Sequence, residues 1–296
     1  MTGTDTSVGF YLKEWKEWLH FIGSSPGTIE VYYNPLRDYI KEHGLKASQL
    51  TDITEREIDA HINPKSDIGV RTRRLRRAGI KSFFRFCKGR GYCHHDPVDI
   101  CKVRTRNLEF FQKEKRCLRP VTQEEYDKLQ SGFSKFLETA KGRNIKHKRR
   151  VQFFKWLTTV AYWTGLRIGD IISLETDAIQ GTNLIVWTRK RDKRVALDML
   201  APIHGEGILL KVFQEADPSG KYVFHVEQSI LEKDPKNSIL PRSFSRWANK
   251  MGVEGPTMHC FRRAFVTRLK DSGMEFADIA HLVGHSDPRT TEGYYG

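Results

Sequence analysis

Met258-His-Cys-Phe-Arg-Arg-Ala-Phe265 opens a helical run, and Leu282-Val-Gly-His-Ser-Asp-Pro-Arg-Thr-Thr-Glu-Gly-Tyr-Tyr-Gly296 ends the sequence. The reading of this stretch decides the rest. His259 and Arg262 stand three positions apart, which puts them on one face of a helix. Gly284-His285 follows about one helix later, and Tyr294 comes nine residues after His285. A cationic pair, a second imidazole and a phenol in a basic chain point to chemistry on the phosphates of nucleic acid.

The bulk sequence agrees. Lys and Arg number 50 against 36 Asp and Glu, a net charge of +14 over 296 residues. Such a field draws polyanions, nucleic acid above all. No apolar run approaches the roughly 20 residues that span a bilayer, and no charged-then-apolar leader opens the chain. A membrane partner is therefore not expected. The five cysteines, Cys87, Cys93, Cys101, Cys117 and Cys260, form no regular framework. A reduced cytoplasmic, DNA-associated location follows. Cys93-His94-His95 with Cys101 fits no zinc-ligand spacing.

Upstream, residues 10 to 110 read as helices with short breaks. Leu12, Trp15, Leu19 and Ile22 make one buried stripe. Thr28 is placed to cap a second helix that carries Leu36, Tyr39 and Ile40, with Pro35 inside it or in its early turns. Thr54 and Glu57 form a capping box for a third. The fourth runs from Arg71 to Lys88, with Leu75, Gly79, Phe83 and Phe86 toward the core. Its other faces carry Arg71, Arg73, Arg74, Arg76, Arg77, Lys81 and Arg85, and no acid occurs from Arg71 to Arg90. A merely solvated face mixes both signs. An unbroken cationic one repels itself unless an anion lies against it, so these residues are candidate DNA contacts.

Periodicity fades from Lys102 to Arg119, which reads as a basic linker. The domains are accordingly residues 1–103, helical and DNA-binding, a linker over 104–118, and a catalytic domain over 119–296. Thr122 and Glu125 make a capping box at the start of the last. Lys141 to Arg150 reads as a basic loop, and Val151 to Trp163 as a buried helix. A new helix begins near Arg167 in Thr164-Gly-Leu-Arg-Ile-Gly-Asp170, where Asp170 is spaced to hold the guanidinium. Two strands, Asn183–Thr188 and Arg194–Met199, flank a hairpin tip, Arg189-Lys-Arg-Asp-Lys193, rich in cations. Ile208–Ala216 and Ile239–Met251 add helices.

Arg167, a hairpin lysine, His259-x-x-Arg262, His285 and Tyr294 together resemble the catalytic set of the tyrosine recombinase (phage integrase) family. The resemblance covers nearly the whole chain. Thr28-Ile-Glu-Val-Tyr-Tyr-Asn-Pro-Leu-Arg37 is similar to the family's core-binding domain. Thr-Gly-Leu-Arg-Ile-Gly-Asp is similar to its first arginine box, and His-Cys-Phe-Arg with Gly-His-Ser-Asp-Pro-Arg-Thr-Thr-Glu-Gly-Tyr to its second.

The resemblance implies a mostly α fold with a small antiparallel β element, in two domains shaped as a C-clamp on duplex DNA. It implies site-specific cleavage and rejoining of DNA, for integration and excision of an element or for resolution of DNA molecules, by a homo-tetramer on synapsed sites. Arg167 and Arg262 would clasp the scissile phosphate. Tyr294 would attack phosphorus and form a 3′-phosphotyrosine; Tyr295 is the neighbouring alternative. Lys190 would protonate the leaving oxygen, with Lys193 the alternative in the same loop. His259 and His285 would handle protons or bind phosphate oxygens, and Asp170 would support them. No carboxylate cluster suited to magnesium stands out, so a reaction without metal or cofactor is expected. Many relatives continue beyond the tyrosine into a tail helix; with Gly296 two residues after Tyr294, either subunits meet through other surfaces or the sequence has been shortened. A type IB topoisomerase, which relaxes supercoils without site choice, and a non-catalytic DNA-binding relative are the competing readings.

Overall fold

The computed structural model describes residues 7–64, 68–94, 97–99, 101–104, 119–140, 145–188, 193–216, 220–224 and 239–284. The chain divides into two compact units, Met1–Lys115 and Arg116–Gly296.

The first unit is helical: α1 (Val8–Phe21), α2 (Pro26–Glu42), α3 (Glu55–Ile62) and α4 (Val70–Gly89). Its core joins Trp15 and Leu19 of α1, Leu36 and Ile40 of α2, Ile58 and Ile62 of α3, and Phe83, Phe84 and Phe86 of α4. Each large apolar side chain buried in this way stabilises the unit by roughly 1.5–3 kcal/mol before ordering entropy is subtracted. Gly79 lets α4 meet α2 closely, since a Cβ there would stand 3.0 Å from the Tyr32 carbonyl oxygen. The capping box of Thr54 and Glu57 forms as expected. Three expectations change. Ile22 is the C-cap of α1 and is 49% exposed, so the stripe is completed by Val8 and Tyr11. Ser25, not Thr28, caps α2, because Pro26 can occupy the first helical position, where a missing N–H costs nothing. Leu75 stands on the exposed side of α4.

The second unit opens with α5 (Gln123–Thr139), capped by Thr122 and Glu125. α6 (Ile145–Thr164) follows, then α7 (Ile168–Ile172), β1 (Ile179–Gln180), β2 (Asn183–Thr188), β3 (Lys193–Asp198), α8 (Ile208–Glu215), α9 (Ile239–Lys250), α10 (Met258–Asp271) and α11 (Phe276–Leu282). The expected basic loop is helix from Ile145 onward, since Lys and Arg favour helix well enough to extend α6 backward from its buried half. The two expected strands pair antiparallel, Thr188 opposite Lys193 and Asn183 opposite Asp198, and β1 adds a third strand at the edge. Leu184, Val186, Val195 and Leu197 point into the core. The fold is thus mostly α with a small antiparallel sheet. Phe153, Phe154 and Leu157 of α6 sit at the centre, against Phe244 of α9 and Phe261 of α10.

Candidate active site

α6 ends at Thr164 because Gly165 takes a left-handed backbone, φ +62°. A side chain there would also collide with Phe265, whose ring atom lies 2.5 Å from where a Cβ would stand. The chain then turns through buried Leu166 to Arg167. Arg167 is the N-cap of α7, extended at φ −73° and ψ 147°. Its carbonyl accepts from the N–H groups of Asp170 and Ile171, at 2.9 and 3.0 Å. The backbone of Arg167 is therefore held from both sides. Its Nη1 is buried without a hydrogen-bond partner among the described residues. The expected grip of Asp170 on that guanidinium is not made at Nη1. Arg167 stands at the N-cap of α7 and Asp170 three positions on, in its first turn.

α10 brings the second cation. The apolar stripe Phe261, Phe265, Leu269 buries one face of this helix, and Arg262 goes inside with it, 2% exposed. Its guanidinium has a definite task there. Nη1 donates to Gly165 O and Nη2 to Val283 O, each at 2.6 Å. One fork thus ties the residue two before Arg167 to the residue two before His285. Gly284, φ +66°, sits where a Cβ would be 3.0 Å from Thr188 Cγ2 and 3.6 Å from Val195 Cγ2. The segment that leads to His285 therefore leaves from beside the end of β2, where the hairpin tip begins.

His259 lies at the start of α10, fixed by a first turn in which Thr257 N–H donates to Cys260 Sγ at 3.3 Å. The residue is exposed, yet its imidazole is held below the usual histidine range. Partial loss of hydration comes first among the causes, then the positive charges of Arg262, Arg263 and Arg167. Arg167, His259 and Arg262 are accordingly within electrostatic reach of one another. Lys190, His285, Tyr294 and Tyr295 lie outside the described residues, as does the side chain of Lys193, whose backbone begins β3.

Sequence reasoning missed two residues around the end of α6. Arg268 Nη2 donates to Tyr162 O at 2.7 Å, and His204 Nδ1 donates to Trp163 O at 2.8 Å. No local pattern marks a side chain whose partner lies 106 or 41 residues away.

The cations of α4 separate into two groups. Arg73 donates to Ile68 O, Arg76 to His61 O, and Arg77 to Cys101 O and Val98 O. Lys81 pairs with Asp99 at 2.9 Å. Arg71, Arg74 and Arg85 are exposed. A groove of about 670 Å³ beside α4 is lined by Arg74, Arg77, Lys81, Arg85 and Lys102, with Trp18 and Tyr32.

Two inward-turned arginines and an imidazole whose pKa is lowered by burial and by those charges thus come near one another in the second unit. The chain belongs to the phage integrase family, whose model matches residues 130–296. It is 22% identical over 303 aligned positions to tyrosine recombinase XerD of Listeria monocytogenes serovar 1/2a, covering 94% of this chain and 92% of the relative. Its fold is similar to that of the protein in a crystal structure of a lambda integrase dimer bound to a COC′ core site, with TM-score 0.69 and 19% identity over 98% of this chain and 77% of that one. A lambda integrase tetramer bound to a Holliday junction is similar too, with TM-score 0.71 and 18% identity over 99% of this chain and 78% of that one.

Proposed function

We propose that the protein is a site-specific DNA recombinase that cuts and rejoins duplex DNA through a 3′-phosphotyrosine. The observation that carries this reading is the fork of Arg262, which joins the backbone before Arg167 to the backbone before His285. It supports a single site because it ties together two segments that the sequence separates by more than a hundred positions.

The mechanism follows from charge. A phosphodiester resists attack because its non-bridging oxygens are negative, and the five-coordinate transition state gathers more charge still. Guanidiniums that are already in place stabilise it without reorganisation. Arg167, whose Nη1 lacks a described partner, and Arg262 are assigned to those oxygens. Tyr294 Oη attacks phosphorus and the bond to O5′ breaks. The phenol proton passes to His259 or His285, and Lys190 gives a proton to the departing O5′. Burial and the nearby charges of Arg262, Arg263 and Arg167 favour the neutral form of His259, which is the form with a lone pair for the proton. A free 5′-hydroxyl reverses the step and rejoins DNA, with the bond energy kept in the phosphotyrosine.

We assign residues 1–103 to DNA binding, 104–118 to the linker and 119–296 to catalysis. The α4 groove would take the DNA backbone. Assembly as a homo-tetramer on two synapsed sites, inside the cytoplasm on the chromosome or a mobile element, completes the proposal. The relatives named XerD and the lambda integrase tetramer on a Holliday junction support it. The test is capture of the protein on a nicked duplex that lets the cleaved end diffuse away. Wild type should accumulate a covalent adduct and Tyr294→Phe none; equal adduct from both removes Tyr294 as nucleophile.

A further inference from the structure

Helix α6 delivers Arg167, and what holds its end is unusual in origin. The last carbonyls of a helix have no partner within it, and together they carry partial negative charge. Here the carbonyls at the end of α6 and just past it are met by side chains from far along the chain. Tyr162 O takes Arg268, Trp163 O takes His204, and Gly165 O takes Arg262. Val160 O is closed locally by Thr164 Oγ1, which also accepts from Leu166 N–H.

The supports are themselves packed together. The Arg268 guanidinium lies 3.9 Å from the centre of the Tyr162 ring and 4.5 Å from that of Trp163. His204 is 3% exposed, in the 3₁₀ turn Pro202–His204, and its ring stacks on Phe265 at 5.7 Å and 19°. Phe265 in turn fills the space that a side chain at Gly165 would need. The path from α6 to Arg167 is thus set by contacts to α10 and to the turn before α8.

We propose that His204 and Arg268 are positioning residues for Arg167. They fix where the helix ends and so where the guanidinium stands relative to the phosphate. The proposal rests on the recombinase reading given above. It adds that catalysis depends on two residues that never touch DNA.

The probe is a nicked duplex recovered by covalent capture from a random-sequence library with the wild-type protein. For His204→Ala, we expect DNA affinity within about 2-fold of wild type and a single-turnover adduct rate about 10- to 100-fold lower, the scale of a misplacement near 1 Å. His204→Asn puts an amide N–H where Nδ1 donates, and should recover most of the rate. In an Arg167→Ala background, followed over long incubations, His204→Ala should cost less than about 2-fold, because two residues that act as one are not additive. Arg268→Ala leaves a buried carbonyl bare; if it does not fold, the Ala and Asn variants at His204 carry the test alone. A folded His204→Ala protein with the wild-type rate overturns the proposal. So does an equal loss with and without Arg167, which would mark a merely structural contact. If wild type itself captures no library member, both this proposal and the recombinase reading fall. If it captures DNA and the variants match it, only the positioning role falls.

Discussion

Arg262 does two things at once, and the two can be separated. Its fork holds Gly165 O and Val283 O, and it is assigned to the phosphate. Charge-assisted bonds of this kind contribute roughly 1.5–3 kcal/mol each. Arg262→Ala should therefore unfold at lower urea, with about 3 kcal/mol or more lost, and slow adduct formation by about 10²- to 10³-fold. Arg262→Lys should recover part of the stability and little of the rate, since one ammonium cannot span both carbonyls as a planar fork does. A second prediction concerns His259. Its pKa is depressed, so the neutral, proton-accepting form persists below the usual histidine range. The adduct rate should stay level as pH falls through about 6.5 and drop only further down. Arg263→Ala removes one depressing charge and should shift that drop to higher pH; no shift would contradict the assignment. At this scale the sequence displayed Arg167, His259 and Arg262 because each lies in a short local motif. It hid Arg268 and His204, whose work is done on a helix end brought to them only by folding.

Helix α4 shows how an element divides its charge. Arg73, Arg76 and Arg77 are turned to carbonyls of their own unit, while Arg71, Arg74 and Arg85 stay exposed. Replacing Arg71, Arg74 or Arg85 by Ala should leave the melting temperature alone. Each should reduce the slope of log K against log salt by about 0.9 for every phosphate that is no longer neutralised. Arg76→Ala or Arg77→Ala should instead lower the melting temperature, measured by calorimetry. α3 carries a pH-sensitive group. His61 is 6% exposed, and its pKa is lowered to about 4, by burial first and then by Arg76 and His43. A depressed histidine pKa means that the unfolded chain takes up the proton first. The contribution is whole above pH 6.5 and is lost as pH falls toward about 4, by roughly 3 kcal/mol. Urea unfolding of His61→Leu at pH 7 and pH 4.5 should show less loss than wild type; an equal loss would refute this. Helices with apolar stripes and capping boxes were readable, as α3 and α5 show. Their edges were less so: α6 starts within a basic block read as loop, and α2 starts at Ser25 because Pro26 suits a first turn.

For the whole molecule, a net charge of +14, membership of the phage integrase family and a helical unit with a cationic groove lead to one account. A mostly helical fold with a small antiparallel sheet could be anticipated because helices and hairpin differ in period and polarity. How the scattered boxes meet could not, since it depends on Arg262 reaching Gly165 and Val283 across the fold. The central claim is that a phenol at the end of the sequence takes over a bond broken at this arginine site. The most direct measurement is digestion of the trapped protein–DNA adduct, followed by mass spectrometry of the peptide that keeps a nucleotide. The account predicts the phosphoryl mass on Tyr294, formed about 10²- to 10³-fold more slowly when Arg167 or Arg262 is replaced by Ala. A nucleotide on any other residue, or an adduct that forms undiminished without either arginine, would contradict it.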